Sequence, residues 1–227
     1  MSPTLKFHIR GLREGIEDGE LMIAAFDASL AQLATIGSGE QWGSKPLSER
    51  ENIDDRIKIF EQARRYQLTG EGAPIRIFII ETEIENADEL PASVHVRTDD
   101  AGKKLLFAGS MMLSEGLYPH YLRPHFEKDL IKKALDGTKD YIYVEALITD
   151  YRAGPWRKGA GAALLEHAQR FCRERGQRIL YLDAYAGNDR KLLKYYEAQG
   201  YSTIDNFEST KPDGSKWPGA FLRMDLM

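Results

Sequence analysis

A chain of 227 residues with 42% hydrophobic composition can build a buried core, and no polar low-complexity tract argues for disorder. Its 31 basic and 35 acidic residues leave a formal charge of -4, which argues against a general nucleic-acid binder and favours a cationic small-molecule partner. The single cysteine, Cys172, rules out an intrachain disulfide framework or a thiolate metal cluster, and no window approaches the ~20 apolar residues of a membrane span.

In chain order, MSPTLKFHIR lacks the apolar run of a signal peptide, so a cytoplasmic protein is expected. LKFHIRGL (5–12) alternates as a strand does. ELMIAAFDASLAQLATIG then repeats apolar residues at helical spacing, with Asp18 as N-cap and Gly37 as stop. SERENIDDRIKIFEQARRYQL predicts a second helix, with Ile53, Ile57, Ile59, Phe60 and Ala63 on or near one face. IRIFIIETEI (75–84) and KKLLFAGSMML (103–113) read as antiparallel strands joined by a long polar connection. Insertions are expected at about 85–102 and 115–139, the second holding YPHYLRPHF and a short helical run ending at Gly137.

YIYVEALIT (141–149) is a nearly continuous apolar strand, as a central strand covered on both faces should be. It runs into GPWRKGAGAALL (154–165), a basic, glycine-rich turn that opens a helix with Leu164, Leu165, Ala168, Phe171 and Cys172 on one face and Gly176 as its end. RILYLDAYA (178–186) predicts a buried strand. NDRKLLKYYEAQGY predicts a short helix closed by Gly200, and YSTIDNFE and AFLRMDL two final strands. No repeat or linker divides the chain.

A strand that enters a helix through glycines presents backbone N–H groups at the positive helix end, a ready phosphate site. Gly154 and Gly159 have Walker A spacing, but Ala160 and Gly161 stand where lysine and a hydroxyl are required. Gly159 and Gly161 begin a dinucleotide fingerprint, but Leu164 occupies its third glycine position, and the strands before the turn read as antiparallel rather than βαβ. The element order, the turn RKGAGAALL, GSGEQWGSKPL, LDAYAGN, KYYEAQGY and WPGAFLR together resemble the GCN5-related N-acetyltransferase (GNAT) family, in its small-molecule branch.

That resemblance implies a single α/β (α+β) acetyltransferase domain over 1–227, with a mixed, mostly antiparallel sheet of about seven strands flanked by helices. It implies acetyl-CoA as co-substrate, without a metal. The pyrophosphate would lie on Arg157, Lys158, Gly159, Ala160, Gly161 and Ala162, and the pantetheine arm on the backbone of Leu147, Ile148 and Thr149. Asn188 would complete the cofactor site. Trp156 either fills the first position of the turn or belongs to a four-residue insertion, and Arg152 is a further candidate for the phosphates.

The implied reaction is direct attack of a small-molecule amine on the thioester in a ternary complex. Tyr196, four residues before Gly200, matches the family's proton donor to the thiolate, and a phenol remains protonated at neutral pH. Glu145, 14 residues before Gly159, matches the base of the histone-modifying members, and a carboxylate in an apolar strand is costly unless it is paired or used. Asp150 or ordered water are the alternatives. Other functions left open are a protein lysine or N-terminal acetyltransferase and a non-catalytic acyl-CoA sensor. Neither nucleic acid nor a membrane is expected as partner, and a homodimer stays open.

Cys172, in a helical apolar stripe, reads as core packing. His120, His125 and His167 lack acidic or thiol ligands at suitable spacing and read as surface or substrate-lining residues. Trp42, Trp217 and YPHYLRPHF could line the acceptor pocket or simply pack.

Overall fold

Apolar alternation and helical periodicity resolve into eight strands and five helices among the residues that the computed structural model describes, namely 5–14, 17–86, 90–125, 129–136, 140–211 and 214–226. In order these are β1 (Phe7–Gly11), α1 (Glu17–Thr35), α2 (Ile53–Thr69), β2 (Ile75–Ile84), β3 (Val96–Thr98), β4 (Lys104–Glu115), α3 (Asp129–Asp136), β5 (Tyr141–Thr149), α4 (Ala160–Glu174), β6 (Ile179–Tyr185), α5 (Lys191–Ala198), β7 (Ser202–Thr210) and β8 (Lys216–Asp225). The fold is mixed α/β with a mostly antiparallel sheet. The strand beyond the expected seven is β3, whose three residues pair antiparallel with β4 inside the stretch that reads as a polar connection. Three residues are too few to show alternation.

The chain forms two compact units. The first comprises residues 1–32, 44–112 and 146–167. Its strands are hydrogen-bonded in the order β1-β2-β4, with β1 antiparallel to β2 and β3 paired to β4. Met22 and Ala25 of α1 and Ala63 of α2 pack on Ile77 and Ile79 of β2 and on Phe107 and Met112 of β4. Since Ile77 and Ile79 are i and i+2, one face of β2 meets the helices.

Asp18 departs from the expected N-cap. The helix already includes Glu17, and the buried Asp18 carboxylate accepts hydrogen bonds from Arg10 at 2.7 and 2.9 Å and from the Arg13 N–H at 2.8 Å. A guanidinium from β1 satisfies more of a buried carboxylate than one helix N–H can. Arg10 also bonds the equally buried Glu81 of β2 at 2.9 Å, and Glu81 takes two further bonds from Arg97 at 2.7 and 2.6 Å. Two carboxylates and two guanidiniums therefore form one buried network.

The second unit comprises residues 33–43, 113–145 and 168–227. Its strand order is β4-β5-β6-β8-β7. Strand β5 runs parallel to β6, whereas β8 is antiparallel to both β6 and β7. The core joins Tyr141 and Tyr143 of β5, Tyr181 of β6, Phe207 of β7 and Phe221 of β8 to Leu122, Ile131 and Leu135 from the 114–140 stretch. Stacking of Tyr181 on Phe221 at 5.1 Å sets the aromatic character of this face.

The loop between α1 and α2 is held down by this unit. Asn188 Nδ2 donates to the Ile36 carbonyl at 2.8 Å and to Ser38 Oγ at 2.6 Å, and Tyr185 Oη to Glu40 at 3.2 Å. Lys211 Nζ donates to the Glu40 carbonyl at 2.9 Å and Trp217 Nε1 to the Gln41 carbonyl at 3.0 Å. Asn188, Asp189 and Arg190 all have positive φ (49, 53 and 58°), a single left-handed turn that aims the Asn188 amide at the loop.

Candidate active site

In the first unit, the turn after β5 is a 3-10 segment, Tyr151–Arg157, bent at Gly154 (φ 54°, ψ -126°) before α4 begins. The first helical bond of α4 runs from the Ala163 N–H to the Gly159 carbonyl. The N–H groups of Ala160, Gly161 and Ala162 therefore precede the helical ladder at its positive end. Gly159 (φ 91°) is exposed and in the left-handed region that glycine tolerates, and it lets the chain turn into the helix without a side chain over those amides.

Three basic residues flank the turn and differ in their engagement. Arg152 is committed to the fully buried Asp150, at 2.8 to 3.2 Å, which also removes Asp150 from the candidates for a free base. Arg157 lies 3.8 Å over the Tyr151 ring and donates to Thr149 Oγ1 at 3.2 Å, yet its buried Nε has no hydrogen-bond partner among the described residues. Lys158 is exposed. Trp156 packs beside Ile84, Leu106 and Ala153, and its carbonyl accepts from Thr82 Oγ1 at 2.8 Å. Its indole is thus a packing group of the 3-10 turn, and Arg157 and Lys158 are the basic side chains beside α4 that are not committed to a carboxylate among the described residues.

Leu147, Ile148 and Thr149 form the half-buried end of β5. The parallel ladder with β6 pairs Tyr141–Val144 with Ile179–Leu182 and extends no further among the described residues. On β4, Gly109 passes so close to this end that an added Cβ would lie 2.4 Å from the Ile148 carbonyl oxygen and 3.0 Å from Thr149 Cα. Gly109→Ala should therefore force the strands apart, with a stability cost of about 1–3 kcal/mol and a smaller thermal shift with acetyl-CoA. A thermal melt with and without the ligand checks both.

The second unit holds the candidate acid and base. Glu145 is half-buried and accepts a hydrogen bond from Ser114 Oγ of β4. Tyr196 is buried in α5, edge-on to Tyr195 and Tyr201, and its Oη has no hydrogen-bond partner among the described residues. Burial first, then the Tyr195 and Asp183 charges, push its phenol above the ordinary value, so it stays protonated. Asn188, expected at the cofactor, spends its amide on the 36–38 backbone and Ser38 as described above.

One residue escaped the sequence reading. Asp183 of β6 is half-buried, and its Oδ1 accepts from Tyr143 Oη at 2.5 Å and Tyr121 Oη at 2.7 Å. Burial raises its pKa and the two phenols oppose that rise. The signal was available: RILYLDAYA carries a carboxylate inside an apolar strand just as YIYVEALIT does.

Residues 120–201 match the family model for the Acetyltransferase (GNAT) family. That match spans about a third of the chain and covers β5, α4, β6 and α5. The fold is shared with yncA from Salmonella typhimurium, solved with acetyl-CoA (12% identity, 97% of this chain and 94% of that one, TM-score 0.56). It is likewise shared with ribosomal-protein-alanine N-acetyltransferase from Brucella melitensis (14%, 96% and 99%, 0.56). A third such fold is paia N-acetyltransferase from Thermoplasma acidophilum in complex with coenzyme A (15%, 97% and 99%, 0.53). No curated protein matches in sequence.

The remaining sequence candidates take definite places in the fold. Strands β5 and β6 with α4 between them form a parallel βαβ crossover, so the antiparallel reading around the turn holds for β4–β5 but not beyond the helix. Cys172 is fully buried, its thiol pushed up to about 11 by burial, which leaves it no nucleophilic role. The His167 ring packs 4.4 Å from Phe78, and the His125 side chain lies outside the described residues. Among the described residues no group of three or more His, Cys, Asp or Glu could hold a metal ion, and no helix is long and apolar enough to cross a membrane.

Proposed function

We propose that the chain transfers an acetyl group from acetyl-CoA to the amine of a small molecule, with residues 1–227 acting as one cytoplasmic acetyltransferase domain. The observation that carries the cofactor assignment is the α4 turn, where three amides outside the helical ladder accompany a buried Arg157 Nε that lacks a partner among the described residues. A pyrophosphate supplies the acceptors that both require. Arg157 and Lys158 provide counter-charge, Gly159 to Ala162 the backbone donors, and Leu147, Ile148 and Thr149 the strand end along which the pantetheine arm lies. Asn188 contributes by fixing the loop at Ile36 and Ser38.

In this reading Glu145 accepts the proton of the acceptor ammonium, directly or through water, and is held by Ser114. The neutral nitrogen attacks the thioester carbon, a backbone N–H of the β5 end polarises the carbonyl, the C–N bond forms and the C–S bond breaks. Tyr196 gives its proton to the departing sulfur and is restored by the second proton that the nitrogen sheds as the amide forms, and the proton taken up at Glu145 returns to solvent. No covalent enzyme intermediate is needed.

The test is thiol release from acetyl-CoA across a panel of amines, amino acids and polyamines, after a thermal-shift comparison of ligands. Acetyl-CoA at 100-fold its Kd should stabilise the protein by about 2.7 kcal/mol, whereas ATP and NAD should not. A shift with ATP or NAD alone would overturn the cofactor assignment. Binding without thiol release from any amine would overturn transfer.

A further inference from the structure

The buried carboxylates among the described residues are paired with arginine, whereas the half-buried Asp183, set against an aromatic core, is not. Asp18 and Glu81 share Arg10, with Arg13 and Arg97 completing their shells, and Asp150 holds Arg152. Asp183 has no cationic partner among the described residues. Its contacts are the hydroxyls of Tyr121 and Tyr143, both on Oδ1. Placing a carboxylate in an aromatic core without a counter-ion is destabilising, and proteins retain such groups where a ligand completes them.

We propose that Asp183, with Tyr121 and Tyr143, is the subsite for a cationic group of the acceptor, an organic ammonium. Two phenol donors at 2.5 and 2.7 Å favour the ionised carboxylate and fix its Oδ1, which leaves Oδ2 for a ligand. Tyr121, 49% exposed on the 3-10 turn His120–His125, lies at the solvent side of the triad, while Tyr143 is fully buried and stacked on Phe221. A carboxylate among tyrosine rings is the arrangement that recognises alkylammonium groups through charge and cation–π attraction. A metal ion is a poorer occupant, because one carboxylate oxygen and two phenols are too few hard ligands.

The subsite rests on the acetyl-transfer reading for its role and connects to it within the second unit. The Asp183 charge is felt at Tyr196, the proposed acid, and Tyr143 feels both Asp183 and Glu145, the proposed base. An ammonium held at Asp183 would thus lie in the electrostatic reach of both groups. The sequence alone supplies only a weak reason to expect a cation, the net charge of -4.

The experiment compares tyramine, phenethylamine and spermidine with tyrosol, which replaces the tyramine ammonium by a hydroxyl, by calorimetric titration of the full chain and of Asp183→Asn. Asparagine keeps the shape and an acceptor for both tyrosines. At least one cationic amine should bind wild type saturably and tenfold or more tighter than tyrosol does. Asp183→Asn should abolish that preference while keeping the acetyl-CoA thermal shift and a melting temperature no lower than wild type. A melting temperature clearly below wild type would mark Asp183 as a structural carboxylate and overturn the proposal. So would failure of every cationic amine to bind, or Asp183→Asn affinities within twofold of wild type. An amine that binds through Asp183 but releases no thiol from acetyl-CoA would overturn the transfer reading and leave the subsite standing.

Discussion

Tyr196→Phe should lower kcat for acetyl transfer by about 10²–10⁴-fold, the range for loss of a positioned general acid, with the KM for acetyl-CoA within about twofold of wild type. The substitution removes one oxygen and keeps the ring that packs on Tyr195 and Tyr201. Since the hydroxyl has no hydrogen-bond partner among the described residues, its removal strands no neighbour, and thermal stability should be unchanged or slightly higher. Steady-state thiol release separates the outcomes: unchanged kcat would remove Tyr196 from the acid role, and an increase confined to KM would assign it to binding instead.

Glu81→Gln should be the most damaging single change to the fold of the first unit, at about 3–5 kcal/mol, the cost of breaking a buried ion pair from one side. Arg10 would then keep only Asp18 and Arg97 would lose its carboxylate partner, and the deficit of negative charge would lie in a site where Glu81 itself is 1% exposed. The pH dependence has a definite sign. Burial alone would raise the Glu81 pKa, but hydrogen bonds from Arg97 and Arg10 and their charges outweigh it, leaving the folded value below the ordinary 4.5. Asp18 is lowered in the same way against burial, by Arg10 and the Arg13 N–H. A carboxylate with a depressed folded pKa contributes stability that is fully present above its unfolded pKa and lost as pH falls through the folded one. Denaturant melts at pH 7 and along a descending series from pH 5 should show wild type losing its advantage over Glu81→Gln with acidification. A constant gap between the two would mean that the network contributes no charge-dependent stability.

Much of the fold was legible because the strands and helices of this chain keep their periods. IRIFIIETEI and YIYVEALIT match β2 and β5 residue for residue, and Gly37, Gly176 and Gly200 all have the positive φ expected where helices end. What escaped was non-local. Strand β3 is only three residues long, and β8 begins at Lys216 because Trp-Pro-Gly reads locally as a turn while its partner β7 enforces extension. Asp18 looked like a cap because a cap is decided by neighbours in sequence, whereas Arg10 reaches it only once β1 is paired.

The candidate site divides in the same way. The glycine turn, Glu145 and Tyr196 were visible as motif positions. That Arg152 is engaged elsewhere was not visible, since it depends on Asp150, two residues away, folding back to take that guanidinium. Trp156 could not be assigned from its place in the turn, since its role is set by Ile84 and Leu106 far away in the chain. Asp183 was overlooked because its meaning lies in what surrounds it, two phenols and no arginine, and spacing along the chain does not show that.

The latched loop at 36–43 bears on how the protein assembles during synthesis. Its fastenings come from partners 145 to 176 positions later, with Trp217 near the C-terminus reaching back to Gln41. A segment so dependent on distant chain cannot take its final course while the ribosome still holds the last strands. Helix α1 has its own cover in the first unit and is free to dock early, so the loop that follows it is not fully fastened until β8 emerges and pairs. A chain truncated before β8 would keep most of its residues and lose the closing contact of its first eighty.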